Sequence, residues 1–412
     1  MAYKGLYPYI PGLTDELKRS RVIEIAPDIW MLEGYISTNF FKKPPSSNCF
    51  ILRDEDMVLL VDTGTYPFYR ESMLKILRRY KRNGAKKLVL MLTQGHFDHV
   101  CNNDVILEAG YDDVQFLLPE AEVSTIDLSG HWNREFVELM EYYNPFQAMP
   151  MVWPTAPINL ASRRSTELAQ SLLKYTTARL FRGINTLADR AVILPDSSKV
   201  KRKFGDVKFS GWEVGRFFAI HDATHSPGHV SFYDPKFEVF LTGDATLEIN
   251  PPFFNSSMDQ CIKMAGKFRQ FAEQGFVKLA TDAHRSSIWA ARLAEELKYE
   301  PLHRVQTLDM AHGKKECIEF YTFFEDYYIA LKTETLKALS RLGEADVPQL
   351  VEEFKASPDK RARFKVAAKF PRLPSRLDVM VAVILKEAKA PRRKEGDRII
   401  FSPPPKTDKV NS

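Results

Sequence analysis

The chain has 412 residues, of which 44% are hydrophobic and 27% are charged, and its formal net charge is +5. This length exceeds what one hydrophobic core usually supports, so we expect more than one domain. No apolar run approaches the roughly 20 residues that span a bilayer, and so small a net charge does not by itself indicate a nucleic-acid or acidic partner. We therefore expect a globular protein of ordinary composition without a membrane partner.

The N-terminal segment and the cysteines bear on the cellular compartment. The first 20 residues contain aromatic residues and prolines but no apolar segment as long as those of secretion signals, so we expect a cytoplasmic protein. No CxxC pair occurs among the four widely separated cysteines, Cys49, Cys101, Cys261 and Cys317. This spacing argues against a disulfide framework and against a zinc ribbon, and it predicts buried free thiols.

Residues 48–118 alternate short β-rich segments with one amphipathic segment. The pattern predicts a helix over residues 69–80 and strands at residues 49–52, 57–61, 88–92 and 114–118. Such alternation is typical of a layered α/β domain. Polar segments follow two of the strands, VDTGT at 61–65 and LTQGHFDH at 92–99. Since α/β proteins collect their chemistry at the carboxyl ends of strands, we expect the functional site there.

Residues 120–205 break this rhythm and are predicted to form a helical insertion with a helix over residues 165–180. The insertion contains EYYNPFQAMPMVWP at 141–154. This cluster has three interpretations: a satellite core, a dimer interface, or a lid over a pocket for an apolar or aromatic substrate. The α/β pattern then resumes, with a helix over residues 258–274 and strands at residues 217–220, 230–233, 239–242 and 276–281.

The sequence after Ile288 is mainly helical and more basic. Its last predicted helix, residues 375–388, precedes a basic turn and a short strand at 398–401. This order resembles the final helix and wing of winged-helix domains, although it is common in small α+β domains. We predict an α/β domain over residues 1–290, which includes the insertion, and a mainly helical domain over residues 291–412 with a flexible tail.

Four polar motifs follow predicted strands: QGHFDH at 94–99, THSPGH at 224–229, TGDAT at 242–246 and TDAH at 281–284. Together with VDTG at 61–64, their order and content resemble the metallo-β-lactamase superfamily, whose signature is HxHxDH, a later His, a bridging Asp and a final His. The resemblance spans residues 48–284. It implies a four-layer αββα fold that carries the helical insertion and is followed by the helical C-terminal region.

The resemblance also implies seven ligands for two divalent metal ions. They are Gln94, His96 and His225 for one ion, Asp98, His99 and His284 for the other, and Asp244 as the bridge. Imidazole nitrogen suits zinc or iron and carboxylates offset the cationic charge, so we expect zinc, with iron or manganese as alternatives. Two ions about 3.5–4 Å apart share and activate a water molecule, which implies hydrolysis.

Gln94 departs from the family pattern, which has histidine at that position. An amide oxygen is a poorer ligand than imidazole, so we expect weaker binding of the first ion, although family members with glutamine there retain metal. A polar loop without metal is the alternative. Asp62 resembles the family's aspartate that orients the ligand loops without contacting metal. The candidate catalytic residues are Asp98 and His229, and a purely structural His229 is an equal alternative.

Isolated histidines are more often structural than functional. His221 lies in a strand-like segment, and no motif surrounds His131, His303 or His312, so we expect these four on the surface or in the core.

These residues predict a hydrolase that cleaves an ester, lactone, thioester or amide with metal-bound hydroxide. One alternative is a phosphodiesterase or nuclease that uses the basic C-terminal end with Arg392, Arg393, Lys394 and Arg398, although such a run is more often a solvated turn. Another is a metal-binding protein that lost turnover through Gln94. We expect a small-molecule substrate and no nucleic-acid partner, and the helical C-terminal region is compatible with a homodimer.

Overall fold

The computed structural model describes residues 22–34, 45–144, 156–162, 164–247, 250–284, 310–356 and 376–405. Most of the predicted lid, residues 145–154, lies outside these ranges, as do His303 and the end of the predicted tail. In the described part of the chain, no helix combines the length and the apolar character that crossing a bilayer requires. All four cysteines are buried free thiols, as predicted.

The first sheet has seven strands within the described residues, in the order of the sequence. They are β1 (Val22–Ala26), β2 (Ile29–Leu32), β3 (Cys49–Asp54), β4 (Met57–Val61), β5 (Lys87–Met91), β6 (Asp113–Pro119) and β7 (Val192–Leu194). Strands β1 to β4 pair antiparallel, whereas β4 to β7 pair parallel. The parallel pairing puts the carboxyl ends of β4 and β5 at one edge, where the polar segments 61–65 and 92–99 begin.

The second sheet also has seven described strands, in the order β14-β13-β12-β11-β10-β9-β8. They are β8 (Val200–Phe204), β9 (Val207–Val214), β10 (Phe217–His221), β11 (Val230–Asp234), β12 (Val239–Leu241), β13 (Leu279–Thr281) and β14 (Met310–His312). Strands β12 and β13 pair parallel, and the other neighbours pair antiparallel. The loops after β10, β12 and β13 carry the remaining polar motifs.

Helices connect and cover the strands. They are α1 (Pro67–Arg82), α2 (Phe97–Val100), α3 (Val105–Glu108), α4 (Leu128–Met140), α5 (Ala156–Ser162), α6 (Thr166–Leu180), α7 (Met258–Glu273), α8 (Gly313–Leu342), α9 (Val347–Ala356) and α10 (Arg376–Glu387). Helix α1 begins at a proline, which is tolerated in the first turn because that N–H has no helical partner. Helix α7 begins after Ser257, whose hydroxyl accepts the Gln260 N–H at 3.1 Å.

Alternation along the strands sorts their side chains into separate cores. In β3, Ile51 packs with the helices on the outer face of the first sheet, while Phe50 packs between the two sheets. In β10, Phe217 faces the same intersheet core and Phe218 joins a third core with α7 and α8. The layers are therefore helices, sheet, sheet and helices, which confirms the predicted four-layer αββα fold.

Two strands lie inside the range predicted as a helical insertion. Strand β7 pairs with β6, and β8 pairs with β9, at one edge of each sheet. The sequence did not predict these strands because both are largely exposed. Strand β8, for example, reads VKRKF and contains too few apolar residues to show the alternation typical of a strand. The predicted strand at 276–281 is also shorter and begins at Leu279.

The C-terminal region contributes to the second sheet and to its outer core. Strand β14 pairs with β13, and α8 shares one hydrophobic core with α7. The predicted domain boundary near residue 290 stays a prediction. After α10, strands β15 (Arg392–Glu395) and β16 (Arg398–Phe401) form a two-stranded antiparallel sheet. The winged-helix interpretation of this end likewise stays a prediction.

Candidate metal centre

The loops that carry the polar motifs meet at one edge of the two sheets. The side chains predicted as ligands or catalytic groups are nearly all buried: Gln94, His96, His99, His225, His229, Asp244 and His284. Asp98 is the most accessible of the predicted set, with 13% of its side chain exposed. Burial of so many polar groups is costly unless each has a partner or a bound ion.

Asp244 lies at the centre of the cluster, in a short turn that follows β12. Its Oδ2 lies 3.1 Å from His225 Nε2 and 3.4 Å from His99 Nε2, and its Oδ1 lies 3.2 Å from His284 Nε2. Three imidazole nitrogens from three loops therefore surround one buried carboxylate. The structure thus brings together histidines that lie far apart in the sequence.

Asp98, His99 and His284 form a group whose potential ligand atoms all lie within 4.8 Å of one another. His284 Nε2 is 3.6 Å from Asp98 Oδ2, and His99 Nε2 is 3.9 Å from Asp98 Oδ1. Two imidazoles and a carboxylate are a common donor set for a divalent transition metal. The arrangement can therefore hold an ion with this group alone.

The other predicted ligands, Gln94, His96 and His225, also lie close to Asp244 or to one another. His96 Nδ1 is 3.2 Å from His225 Nε2. The Gln94 amide nitrogen donates to Asp244 Oδ2 and lies 2.7 Å from His99 Nε2. Gln94 Oε1 and His96 Nε2 are buried without a hydrogen-bond partner. Because an amide nitrogen carries no lone pair for a cation, only Oε1 of Gln94 is available as a ligand atom.

Asp62 contacts the outer ring nitrogen of His99 and so orients this ligand, the role that the sequence predicts for it. Its Oδ2 lies 2.9 Å from His99 Nδ1, and its carboxylate also accepts the N–H and the hydroxyl of Thr93 at 2.8 and 2.7 Å. A hydrogen bond at Nδ1 leaves His99 Nε2 directed into the cluster. Burial alone would lower the pKa of His99, but the carboxylates of Asp62 and Asp244 raise it well above its ordinary value.

His284 and His225 are oriented in the same way through Nδ1. His284 Nδ1 lies 2.9 Å from the carbonyl oxygen of Ser46, and His225 Nδ1 lies 2.5 Å from Asn250 Oδ1. Burial lowers the pKa of His225 to about 3 despite the nearby Asp244 carboxylate. A low pKa favours the neutral imidazole, which is the form that binds metal.

Both ring nitrogens of His229 have partners inside the protein. Nδ1 lies 2.8 Å from Asp222 Oδ1, and Nε2 accepts the backbone N–H of Asp244 at 3.1 Å. The adjacent Gly243 has φ +52°, and a Cβ there would lie 2.9 Å from His229 Nε2, so glycine permits this approach. These contacts favour a role in holding the Asp244 backbone, and catalysis by His229 stays a prediction.

Glu122 is a buried residue of the site that the sequence analysis missed. Its carboxylate accepts the N–H of Gly95 at 2.7 Å, the N–H of Gly228 at 2.9 Å and the Ser226 hydroxyl. It therefore joins the loop of residues 94–99 to the loop of residues 224–229. Burial raises the pKa of Glu122 despite these hydrogen bonds. No motif surrounds it, so the sequence contained no signal for this role.

An aromatic wall borders the cluster next to His96. The Phe253 ring lies 4.4 Å from the His96 ring, 4.8 Å from that of His131 and 5.3 Å from that of Trp132. His131 Nε2 is buried without a hydrogen-bond partner, and burial lowers the pKa of His131 to about 4. The sequence predicts His131 only as a surface or core residue, whereas the structure places it beside His96.

Helix α4 holds this wall in place through Glu135. The Glu135 carboxylate accepts the N–H groups of Phe254 and Asn255 at 2.6 and 3.2 Å. Burial raises the pKa of Glu135 to about 7. The helical part of the insertion thus positions the Phe253 segment against His96.

Comparison with known proteins gives one family and several similar folds. The sequence model of the metallo-beta-lactamase superfamily matches residues 43–303 of this chain. The search of curated proteins found no match. A beta-lactamase domain protein from Burkholderia ambifaria is 15% identical with a TM-score of 0.51, and the match covers 93% of each chain. A metallo-beta-lactamase family protein from Thermus thermophilus is 16% identical with a TM-score of 0.48, over 92% of this chain and 100% of that one.

A stereoselective inverting sec-alkylsulfatase from Pseudomonas sp. is 12% identical with a TM-score of 0.49, and the match covers 89% of this chain. The chain spans 50% of the length of that sulfatase structure. At these identities the likeness to the solved structures concerns the fold alone.

Proposed function

The chain belongs to the metallo-beta-lactamase superfamily, and from that premise we propose that it is a metal-dependent hydrolase whose metal centre is the cluster around Asp244. The observation that carries the proposal is the convergence of three imidazole Nε2 atoms, from His99, His225 and His284, on one buried carboxylate. Three separate loops supply them, and when no ion is bound one buried carboxylate is their shared partner.

The residues present fit divalent ions. Two buried atoms of the cluster have no hydrogen-bond partner: Gln94 Oε1 and His96 Nε2. Bound cations would satisfy them. We propose two ions, with Asp98, His99 and His284 around one, Gln94, His96 and His225 around the other, and Asp244 between them. Nitrogen-rich ligands favour zinc, with iron or manganese as alternatives.

Ions held there would lower the pKa of a water molecule and polarise the bond that is cleaved. Side chains of the protein would orient the water, accept its proton and contact the substrate. Asp98 is the most accessible carboxylate of the cluster, and its Oδ atoms face His99 and His284, so it orients the attacking water and accepts a proton from it. The Phe253 wall excludes bulk water on the His96 side and presents an apolar surface to the substrate.

The substrate class that we propose is a small carbonyl compound with an apolar or aromatic part: an ester, lactone, thioester or amide. The neutral His131 beside His96 would donate one hydrogen bond to a substrate oxygen.

The phosphodiesterase or nuclease alternative receives less support from the charges at the C-terminal end. Arg392 lies 3.5 Å from Glu141, Arg393 pairs with Glu344, and Arg398 pairs with Asp346. Arginines already paired with carboxylates contribute less to phosphate binding than free ones. The other alternative, a metal-binding protein that lost turnover through Gln94, is distinguished from a hydrolase by the experiment that follows.

The test is elemental analysis of protein purified without chelators, combined with hydrolysis assays on a lactone, a thioester, an aryl ester, a phosphodiester and a secondary alkyl sulfate. We expect at least one divalent ion per chain and hydrolysis of a carbonyl substrate. Chelation should remove ion and activity together, and re-addition of the ion should restore both. Protein that binds no ion would refute the proposal, and bound ion without hydrolysis would favour the non-catalytic alternative.

Replacement of Gln94 by histidine is expected to tighten binding of the more weakly held ion by about 10-fold or more. Imidazole nitrogen is a better ligand for zinc than an amide oxygen, and the position borders both Asp244 and His99. Zinc titration with a competing chromophoric chelator measures the change. Gln270→His, which adds an exposed histidine on α7, is the control for unspecific binding. Equal zinc affinity in Gln94→His and the wild type would count against residue 94 as a ligand position.

A further inference from the structure

Helix α8 places the hydroxyl of Tyr328 beneath the loop that carries Asp244. Tyr328 is fully buried. Its hydroxyl accepts the backbone N–H of Leu247 at 3.1 Å and the side-chain N–H of Asn250 at 3.0 Å. It donates toward the carbonyl oxygens of Leu247 and Ala245, at 2.9 and 3.1 Å. One hydroxyl therefore uses its donor and both acceptor positions on a single loop.

Asn250 connects this hydroxyl to two of the proposed ligands. Its amide nitrogen, which donates to Tyr328, also donates to the backbone carbonyl oxygen of Asp244 at 2.6 Å. Its Oδ1 lies 2.5 Å from His225 Nδ1. The Tyr328 hydroxyl thus orients the amide that in turn orients the His225 ring and holds the Asp244 backbone.

We propose that Tyr328 is a positioning residue for the metal centre, through which α8 sets the affinity for the ion. The proposal rests on the proposed function, because it concerns ligands of that centre. The Tyr328 hydroxyl prearranges Asp244 and His225, so that the ion does not have to organise the loop when it binds. The C-terminal region, predicted from the sequence as a separate helical domain, is then a part of the metal centre.

The same helix offers a matched control. Tyr321 lies two turns earlier on α8, is also fully buried, and has a hydroxyl without a hydrogen-bond partner. Tyr328→Phe and Tyr321→Phe each remove one buried oxygen atom from α8. Only the first removes hydrogen bonds to Ala245, Leu247 and Asn250, and it leaves the Leu247 N–H and the Asn250 amide short of a partner.

The experiment measures the Kd for zinc of full-length wild type, Tyr328→Phe and Tyr321→Phe by competition with a chromophoric chelator. Thermal unfolding of each protein in excess EDTA is recorded in parallel. We expect Tyr328→Phe to bind zinc about 10-fold more weakly than the wild type, the lower end of the range for losing a direct hydrogen-bond partner of a metal ligand, because Tyr328 acts through Asn250. Tyr321→Phe should stay within about 2-fold of the wild type, since its hydroxyl orients no ligand.

Equal zinc affinity of the two variants, with the wild type binding zinc, would overturn this inference and leave the proposed function standing. Wild-type protein that binds no zinc would instead refute the proposed function. If Tyr328→Phe does not fold, Asn250→Ala is measured in its place, because Tyr328 acts on His225 through the Asn250 amide. Wild-type zinc affinity in Asn250→Ala would overturn the inference as well.

Discussion

Asp244→Asn is expected to release the bound metal and to lower kcat/KM for hydrolysis by at least about 100-fold. Loss of a group that only orients a metal ligand lowers metal affinity or activity by about 10–100-fold. Asp244 faces three imidazoles directly, so we expect its loss to cost more. The amide keeps the shape of the side chain but removes the charge that offsets the cations, and it places an N–H group against histidine nitrogens or ions. Metal content and steady-state kinetics with the best substrate of the panel measure the effect.

Asp112→Asn is the control for the change of net charge, because 98% of the Asp112 side chain is exposed. We expect this variant to retain the metal and the activity of the wild type. Wild-type metal content in Asp244→Asn would rule out Asp244 as the bridging ligand, whatever the effect on kinetics.

Arg216→Ala is expected to lower the free energy of unfolding by about 3–5 kcal/mol, the range for removing one partner of a buried ion pair. The Arg216 guanidinium lies 2.9 Å from Asp234 Oδ2 and 3.1 Å from Asp54 Oδ1. Asp234 is only 1% exposed and would be left as an uncompensated buried charge. The arginine also links the two sheets, since Asp54 ends β3 of the first and Asp234 ends β11 of the second.

Urea unfolding, followed by circular dichroism in the presence of a chelator, measures this loss without a contribution from metal binding. Arg393→Ala is the matched control, because Arg393 makes two contacts with Glu344 but both side chains are about half exposed. An exposed pair contributes about 0–1 kcal/mol. A loss in Arg216→Ala no larger than that in Arg393→Ala would show that the two sheets are not held together by this ion pair.

Periodic patterns in the sequence predict most of the regular structure. Strands such as β3, β4 and β10 read as short continuous apolar segments, because both of their faces are buried. The edge strands β7 and β8 were missed, because an edge that is largely exposed needs few apolar residues. The buried strands β2 and β9 were not predicted either, so burial alone does not separate the predicted strands from the missed ones.

The ligand loops were recognisable because each is a short local motif after a strand. The residues that orient those ligands could not be recognised from the sequence. Glu122 contacts Ser226, which is 104 positions away, and Tyr328 contacts Leu247, which is 81 positions away. No local pattern marks a buried glutamate or tyrosine that acts at such a distance along the chain, and His131 was overlooked for the same reason.

The amino-acid sequence alone determined the layered α/β architecture and the family resemblance, because hydrophobic periodicity and short motifs are local properties of the chain. Tertiary structure alone decided which atom of Gln94 faces Asp244, which hydroxyl holds the Asp244 loop and which rings line the wall beside His96. Those contacts join segments that are distant in the chain, and the hydrogen bonds of buried polar groups acquire their partners only when packing brings the segments together.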